Sequence, residues 1–139
     1  MKYWGLPPLI LACLLLSPSN VFSWQGKVYH VAQGDILCIS KGHKEINVRL
    51  YGVDTPETGQ PYGCRARRFT EGLAGNKRVE VVPEGRDQCG RAMALVYIEG
   101  DGECLKEELV RSGYAWVHKQ NCRIRDCEHW RRLEREARQ

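Results

Sequence analysis

The sequence lacks an apolar run long enough to cross a membrane as a helix. Its longest run, LPPLILACLLL at residues 6–16, is about half the roughly 20 residues that a spanning helix needs. It follows Lys2 and precedes the small-residue stretch NVFS, which is typical of a secretory signal peptide. We therefore expect residues 1–23 to be removed as a signal peptide. The mature domain, residues 24–139, is then expected to be secreted or periplasmic, with no membrane association.

Cys13 permits a second interpretation of the same segment, as the lipid attachment site of a lipoprotein. Leu11 is an unfavourable residue at its position before the cysteine, and the apolar run continues beyond Cys13. Both features favour a cleaved signal peptide, so we expect no lipid anchor.

The sequence also has no internal repeat, no linker and no low-complexity tract. These absences argue against a repeat protein, and the length of the mature chain suits a single core. A large excess of one charge is missing too: 21 Lys and Arg face 17 Asp and Glu, for a net charge of +4. This mildly basic balance permits a polyanionic partner but does not require one.

Cysteine, by contrast, is plentiful. Beyond the signal peptide the chain carries Cys38, Cys64, Cys89, Cys104, Cys122 and Cys127. An even number of cysteines in a small exported domain predicts three disulfides, although sequence alone leaves most pairings open. We predict one pair, Cys122 with Cys127, which would close a short loop. A tetrahedral zinc site of these two cysteines with His118 and His129 is the alternative, but an oxidising compartment favours the disulfide.

Hydrophobic alternation predicts five short strands, and 3.6-residue periodicity predicts three helices. In the third strand Ile46, Val48 and Leu50 share one face, and in the last helix Trp130, Leu133 and Ala137 form an apolar stripe after a predicted N-cap at Asp126. Trp116, in an extended piece, is predicted to lie in the core. The order β-β-β-α-β-β-α-α predicts an α+β fold based on a small, partly closed β-barrel of the oligonucleotide-binding (OB) type.

Three carboxylates stand at strand ends or tight turns: Asp35 in QGDIL, then Asp54 and Glu57 in VDTPET. Pro56 restricts both its own backbone and that of the residue before it, so it holds Asp54 and Glu57 at a set separation. Oxygen ligands on a rigid turn suit a hard cation such as Ca²⁺. The simpler interpretation is that Asp54 caps a turn and Glu57 is a solvated surface acid.

Two arginines favour a functional interpretation of these acids. Arg49 lies on the strand that leads into the acidic turn, and Arg91 follows Gly90 at the start of another strand. Each can be an ion-pair partner of the carboxylates or a planar fork for a phosphate. A cation, carboxylates and two guanidinium groups around one point are the parts that phosphodiester cleavage needs.

These segments together resemble one known family. QGDIL, VRLYGVDTPET, CGRAMALVYI, CLKEELVRSGYAWV and CEHWRRLEREA are similar, in order and at compatible spacing, to the thermonuclease (staphylococcal nuclease-like) family. The resemblance covers roughly residues 25–137. It implies a five-stranded OB-fold barrel with three helices, and a monomeric enzyme that hydrolyses DNA and RNA.

The resemblance also implies a role for each site residue. Calcium would be bound by Asp35, Asp54 and the main-chain carbonyl of Thr55. Glu57 would be the general base for the attacking water, or would orient that water. Two further residues, Arg49 and Arg91, would clamp the phosphate, and the products would carry 3′-phosphates.

The chain departs from the family pattern at a few positions. Gln33 replaces an acid of the first turn, and Gln88 and Cys89 replace a Lys-Tyr pair before Arg91. None of the acids or arginines of the central set is lost. Two other hypotheses stay open: a non-catalytic nucleic-acid-binding module of the same fold, and a disulfide-rich secreted domain in which the acids hold calcium for stability alone.

Overall fold

The structure is a computed structural model and describes residues 22–119, 122 and 124–139. The expected signal peptide, apart from its last two residues, lies outside the described residues, and so does Cys13. Within the described ranges, no helix is both long enough and apolar enough to traverse a bilayer.

Strands and helices alternate along the described chain in an order close to the predicted one. The elements are β1 (Trp24–Gln33), β2 (Ile36–Lys41), β3 (Lys44–Leu50), β4 (Val53–Asp54), α1 (Gly63–Ala74), β5 (Arg78–Arg86), β6 (Ala92–Ile98), α2 (Leu105–Arg111), β7 (Trp116–Val117) and α3 (Cys127–Ala137).

Five of these strands close into a barrel in the order β1-β2-β3-β6-β5. All neighbours in the barrel are antiparallel except β3 and β6, which run parallel. The predicted α+β fold, a five-stranded OB-type barrel with three helices, is confirmed. The short strands β4 and β7 were not predicted as a pair; they form a separate two-stranded sheet.

Alternation in β3 builds the barrel interior as the sequence indicates. Val48 and Leu50 are buried, whereas Arg49 between them points to the opposite face and is half-buried. In α3, Trp130 and Leu133 are buried but Ala137 is exposed, because the helix ends there.

One local prediction is wrong, and another is confirmed in position only. Trp116 is 39% exposed and does not belong to the core. Asp126 occupies the N-cap position of α3, but its side chain makes no capping hydrogen bond.

The cysteines form fewer bonds than predicted. Cys122 and Cys127 are bonded, which confirms the one predicted pair and removes both sulfurs from any zinc site. The other four cysteines of the described chain are free, so the expectation of three disulfides is wrong: Cys38, Cys64, Cys89 and Cys104. The fold places them on β2, on α1, in the β5–β6 turn and just before α2, and a disulfide requires Cα atoms within about 7 Å of one another.

Lys106, in the first turn of α2, is almost completely buried. Its Nζ donates a hydrogen bond to the main-chain oxygen of Tyr51 over 3.2 Å and lies 2.8 Å from the centroid of the Trp130 ring. Burial lowers the pKa of Lys106 from 10.5 to about 7, against the opposing effect of Cys104 and Glu107. A lysine within a charged helix sequence gives no sign of such burial, and our sequence analysis missed it.

We expect the substitution Lys106→Met to raise the free energy of unfolding at neutral or lower pH by about 1–4 kcal/mol, because it removes a desolvated charge. The folded-state pKa lies below the unfolded value, so the unfolded chain binds more protons between about pH 7 and pH 10.5. The contribution of this group to wild-type stability therefore rises with pH across that window. The advantage of the variant should be largest below pH 7 and should shrink towards pH 10.

Urea denaturation at both ends of this pH window measures the difference. Lys44→Met, at an exposed position of β3, is the control and should show no such pH dependence. A stability difference between Lys106→Met and the wild type that stays constant with pH would contradict the explanation.

Candidate active site

Asp35 lies at the entrance to β2 and is buried. Its Oδ1 accepts a hydrogen bond of 2.9 Å from the hydroxyl of Thr55. Gly34 makes this approach possible, because a Cβ at that position would come within 2.8 Å of the Thr55 Oγ1. On the other side, the Thr70 hydroxyl of α1 donates to the Gly34 carbonyl over 2.6 Å. The first acidic turn is thus held between the second acidic turn and α1.

Arg49 connects the two acidic turns. Its Nε donates to Asp35 Oδ2 over 3.2 Å, and its Nη2 donates to Asp54 Oδ1 over 3.1 Å. The register of the β2–β3 pair explains the first contact, because Ile36 lies opposite Arg49 and Asp35 directly precedes Ile36. One guanidinium therefore brings together carboxylates that are 19 positions apart in the sequence.

The electrostatic environment of Asp35 reflects both its burial and its partners. Burial raises the pKa of its carboxyl group, whereas the hydrogen bond from Thr55 and the charge of Arg49 lower it; the net direction is upward. Asp54 adds a further upward effect. Two close carboxylates, one of them buried, favour a cation between or beside them.

The turn after β4 presents the remaining acid differently. The main-chain N–H of Thr55 donates to Asp54 Oδ1 over 3.2 Å, so Thr55 packs against both acids. Glu57 is exposed, and its main-chain N–H is held by the Gln60 side chain over 2.9 Å. The structure thus brings Asp35, Asp54, Thr55 and Arg49 into contact, whereas Glu57, two residues after Thr55, is exposed.

Arg91 is positioned by the tight turn between β5 and β6. Its Nε donates to Asp87 Oδ2 over 2.7 Å, and its main-chain N–H donates to Asp87 Oδ1 over 2.9 Å. Gly90 adopts a φ of 77°, a conformation that favours glycine, and lets the turn close. Burial raises the pKa of Asp87, but the hydrogen bonds from Arg91 outweigh it and the net pKa is lowered.

Arg49 and Arg91 line one open cavity of about 290 Å³. The parallel pairing of β3 with β6 explains this, because Val48 lies opposite Ala92, the residue after Arg91. The complete lining is Arg49, Arg86, Asp87, Gln88, Cys89, Arg91, Met93 and His118. Both positions at which the chain departs from the family pattern before Arg91, Gln88 and Cys89, are therefore part of the cavity wall.

Sequence reasoning missed Asp87 and Thr70 in this region, and it named His118 only as an alternative zinc ligand. Asp87 stands four residues before Arg91 across a glycine turn, a spacing that could have indicated the pair. Thr70 lies on a helix far along the chain, and no local pattern links it to Gly34. His118 lines the cavity; its main-chain N–H donates to the Gly52 oxygen over 2.8 Å, and its buried Nδ1 has no hydrogen-bond partner among the described residues.

The donor chemistry of the cluster fits a hard cation. The carboxylates of Asp35 and Asp54 converge on one cationic group, Arg49, and the buried Thr55 lies against both. Oxygen donors of this kind suit Ca²⁺. Among the described residues, no group of three or more His, Cys, Asp and Glu side chains forms a ready-made metal site, so additional ligands would have to be main-chain oxygens or water.

Comparison with known proteins identifies the family. The model of the family described as "Staphylococcal nuclease homologue" matches residues 47–139. An "Uncharacterized endonuclease" of Haemophilus influenzae is 33% identical over 116 residues, which cover 83% of this chain and 64% of the relative. The chain thus spans slightly less than two thirds of that relative.

Two further relatives support the same family assignment. An "Uncharacterized endonuclease" of Escherichia coli O157:H7 is 34% identical over 107 residues, covering 72% of this chain and 69% of the relative. A "Thermonuclease" of Staphylococcus hyicus is 36% identical over 105 residues, covering 70% and 61%. All three relatives are named as nucleases. By its barrel and the extent of these matches, the chain belongs to the staphylococcal nuclease homologue family.

Proposed function

We propose that the protein is an exported, calcium-dependent nuclease that hydrolyses the phosphodiester bonds of DNA and RNA. The observation that carries the proposal is the open cavity lined by Arg49 and Arg91, together with the hydrogen bonds from Arg49 to Asp35 and Asp54. Two guanidinium groups that line one cavity, one of them bonded to two carboxylates, suit a phosphodiester, whose cleavage develops negative charge on the phosphoryl oxygens.

The two arginines bind and orient the phosphate in this proposal. A guanidinium offers two parallel N–H donors to phosphate oxygens, which gives both charge and geometry. Asp87 holds the Nε edge of Arg91, and the two carboxylates hold Arg49. Both side chains are therefore oriented before substrate arrives, which reduces the reorganisation that the transition state requires.

Glu57 accepts the proton of the attacking water, or orients that water, from its exposed position beside the cluster. The water oxygen forms a bond to phosphorus and the bond from phosphorus to the 5′-oxygen breaks. The released 5′-oxygen takes up a proton, and the phosphate stays on the 3′-oxygen. The products are a 3′-phosphate and a free 5′-hydroxyl.

Calcium would be held by Asp35, Asp54 and Thr55, whose oxygen chemistry fits it. When bound, it supplies charge neutralisation at the phosphate and a lower pKa for coordinated water. The residues themselves supply two convergent carboxylates, fixed in place by the contacts of Arg49 and Thr55.

Export rests on the apolar segment after Lys2, and the bonded pair Cys122–Cys127 supports an oxidising destination. We propose a mature protein that begins at Trp24, is secreted or periplasmic, and acts as a monomer without membrane attachment.

A divalent-ion panel on plasmid DNA and on RNA, with end-group analysis of the fragments, tests the proposed function. We expect cleavage of both with Ca²⁺, loss of cleavage with a chelator, and 3′-phosphate ends. Cleavage that the chelator does not affect would overturn the calcium requirement. Binding of nucleic acid without cleavage under any divalent ion would overturn the enzyme and favour the non-catalytic binding module.

A further inference from the structure

A second cavity, of about 320 Å³, opens between the start of α1 and the end of α2, and we call it the α1–α2 groove. It is lined by Pro56, Tyr62, Arg65, Ser112, Gly113 and Tyr114. Pro56 lies in the sequence between Thr55 and Glu57 of the candidate active site. The groove therefore shares a wall with the turn that carries Glu57.

The outer wall of the groove is an aromatic ring with a guanidinium beside it. Tyr62 is 65% exposed, although most large apolar or aromatic side chains of the described chain are packed away. The Arg65 guanidinium carbon lies 5.3 Å from the centroid of the Tyr62 ring. Tyr62 also adopts a φ of 66°, a backbone conformation that is unfavourable for a residue other than glycine.

The opposite wall is anchored in the protein. The ring of Tyr114 packs against Phe69 of α1, with centroids 4.8 Å apart. The exposed ring of Tyr62 and the fixed ring of Tyr114 thus border the same space, which suits a flat, aromatic guest.

The charge of this side of the molecule favours an anionic polymer. The first turn of α1 contains no acidic residue. Arg65 and Arg68 are exposed and make no ion pair with a described residue, whereas Arg67 is paired with Glu71. Single-stranded nucleic acids are bound by surfaces of this kind, in which bases stack on aromatic or guanidinium planes and basic groups contact the backbone.

We propose that the α1–α2 groove is a stacking subsite for an unpaired nucleobase of the strand that is cleaved, with Tyr62 and Arg65 as its platform. The inference rests on the proposed function and deepens it, because it names a contact of the substrate strand outside the cavity of Arg49 and Arg91. Bases of a duplex are stacked within the helix and cannot enter the groove.

The variant Tyr62→Ala tests the subsite. We expect it to raise the KM for a single-stranded oligonucleotide by about 5- to 100-fold, the range that corresponds to loss of one stacked base, with little change in kcat. Cleavage of a small aryl phosphodiester without a nucleobase should be unchanged. Tyr62→Phe keeps the ring and should behave like the wild type. Tyr29→Ala removes an exposed tyrosine on β1, outside the groove; it is the control and should keep the wild-type KM.

The outcomes separate the subsite from the nuclease proposal. If the wild type cleaves oligonucleotide but Tyr62→Ala has the same KM, the subsite is wrong and the nuclease proposal stands. An equal rise in KM for blunt duplex would also overturn the subsite, because stacked duplex bases cannot enter the groove. If the wild type cleaves nothing, the nuclease proposal fails. Anisotropy of a fluorescent single-stranded oligonucleotide then decides the subsite: weaker binding by Tyr62→Ala supports it, and equal binding overturns it.

Discussion

Replacing Arg91 with alanine is expected to lower kcat on nucleic acid by about 10³-fold. Arg91 shares its cavity with Arg49, and the Asp87 carboxylate orients it through two hydrogen bonds. The substitution removes a preorganised positive charge from the place where the scissile phosphate is proposed to lie. Substrate binding should weaken less than turnover, because the charge on the phosphate increases towards the transition state.

Two variants control this result. Arg78→Ala removes an exposed arginine that pairs with Glu99 on the surface, and it should keep full activity. Asp87→Asn retains Arg91 but weakens its orientation, so it should give an intermediate loss in kcat. Steady-state kinetics of the folded variants measure all three. A loss of less than about tenfold for Arg91→Ala would contradict the proposed role of the cavity, since one such donor normally contributes more.

Glu57→Gln is expected to lower kcat by about 10²- to 10⁴-fold, the usual contribution of a general base. The change conserves size and removes only the carboxylate. Because Glu57 is exposed and its turn is held by main-chain contacts with Gln60, the melting temperature should stay within about a degree of the wild type.

Glu80→Gln, at an exposed position of β5, is the matched control and should retain wild-type kcat. If Glu57→Gln keeps its kcat, the attacking water is activated without this carboxylate and the assignment of Glu57 fails. A loss of activity in Glu57→Gln is also easier to interpret than a loss caused by substitution of Asp35. Removal of the buried Asp35 carboxylate would leave the Arg49 Nε and the Thr55 hydroxyl without their acceptor, so that loss would mix activity with stability.

Alternating hydrophobicity was sufficient to predict the barrel strands and their inward faces, because alternate side chains of a strand such as Val48 and Leu50 lie on one face and leave water together. The register between strands was not predictable in the same way. A period of two shows which side chains of a strand share a face, but it does not show which residues of a neighbouring strand lie opposite them. The contact of Arg49 with Asp35 depends on register. The β4–β7 pair was missed because each strand has two residues.

Side-chain burial was the harder part of the prediction. Lys106 carries a charge and is buried, whereas Trp116 is large and aromatic and is exposed. Both depend on how α2 and α3 pack on the barrel, which composition does not specify. The number of disulfides was overpredicted for a similar reason. An even number of cysteines indicates an oxidising compartment, but each bond forms only where the fold brings two Cα atoms close enough together.

The parallel pairing of β3 with β6 has a consequence for the timing of activity. It joins segments about forty positions apart, and until it forms, Arg49 and Arg91 belong to separate stretches of coil. Under the export and the activity that we propose, a precursor that crosses the membrane unfolded would carry no assembled arginine pair and would not cleave the nucleic acids of the cell that makes it. Activity would then arise only when the barrel closes after export.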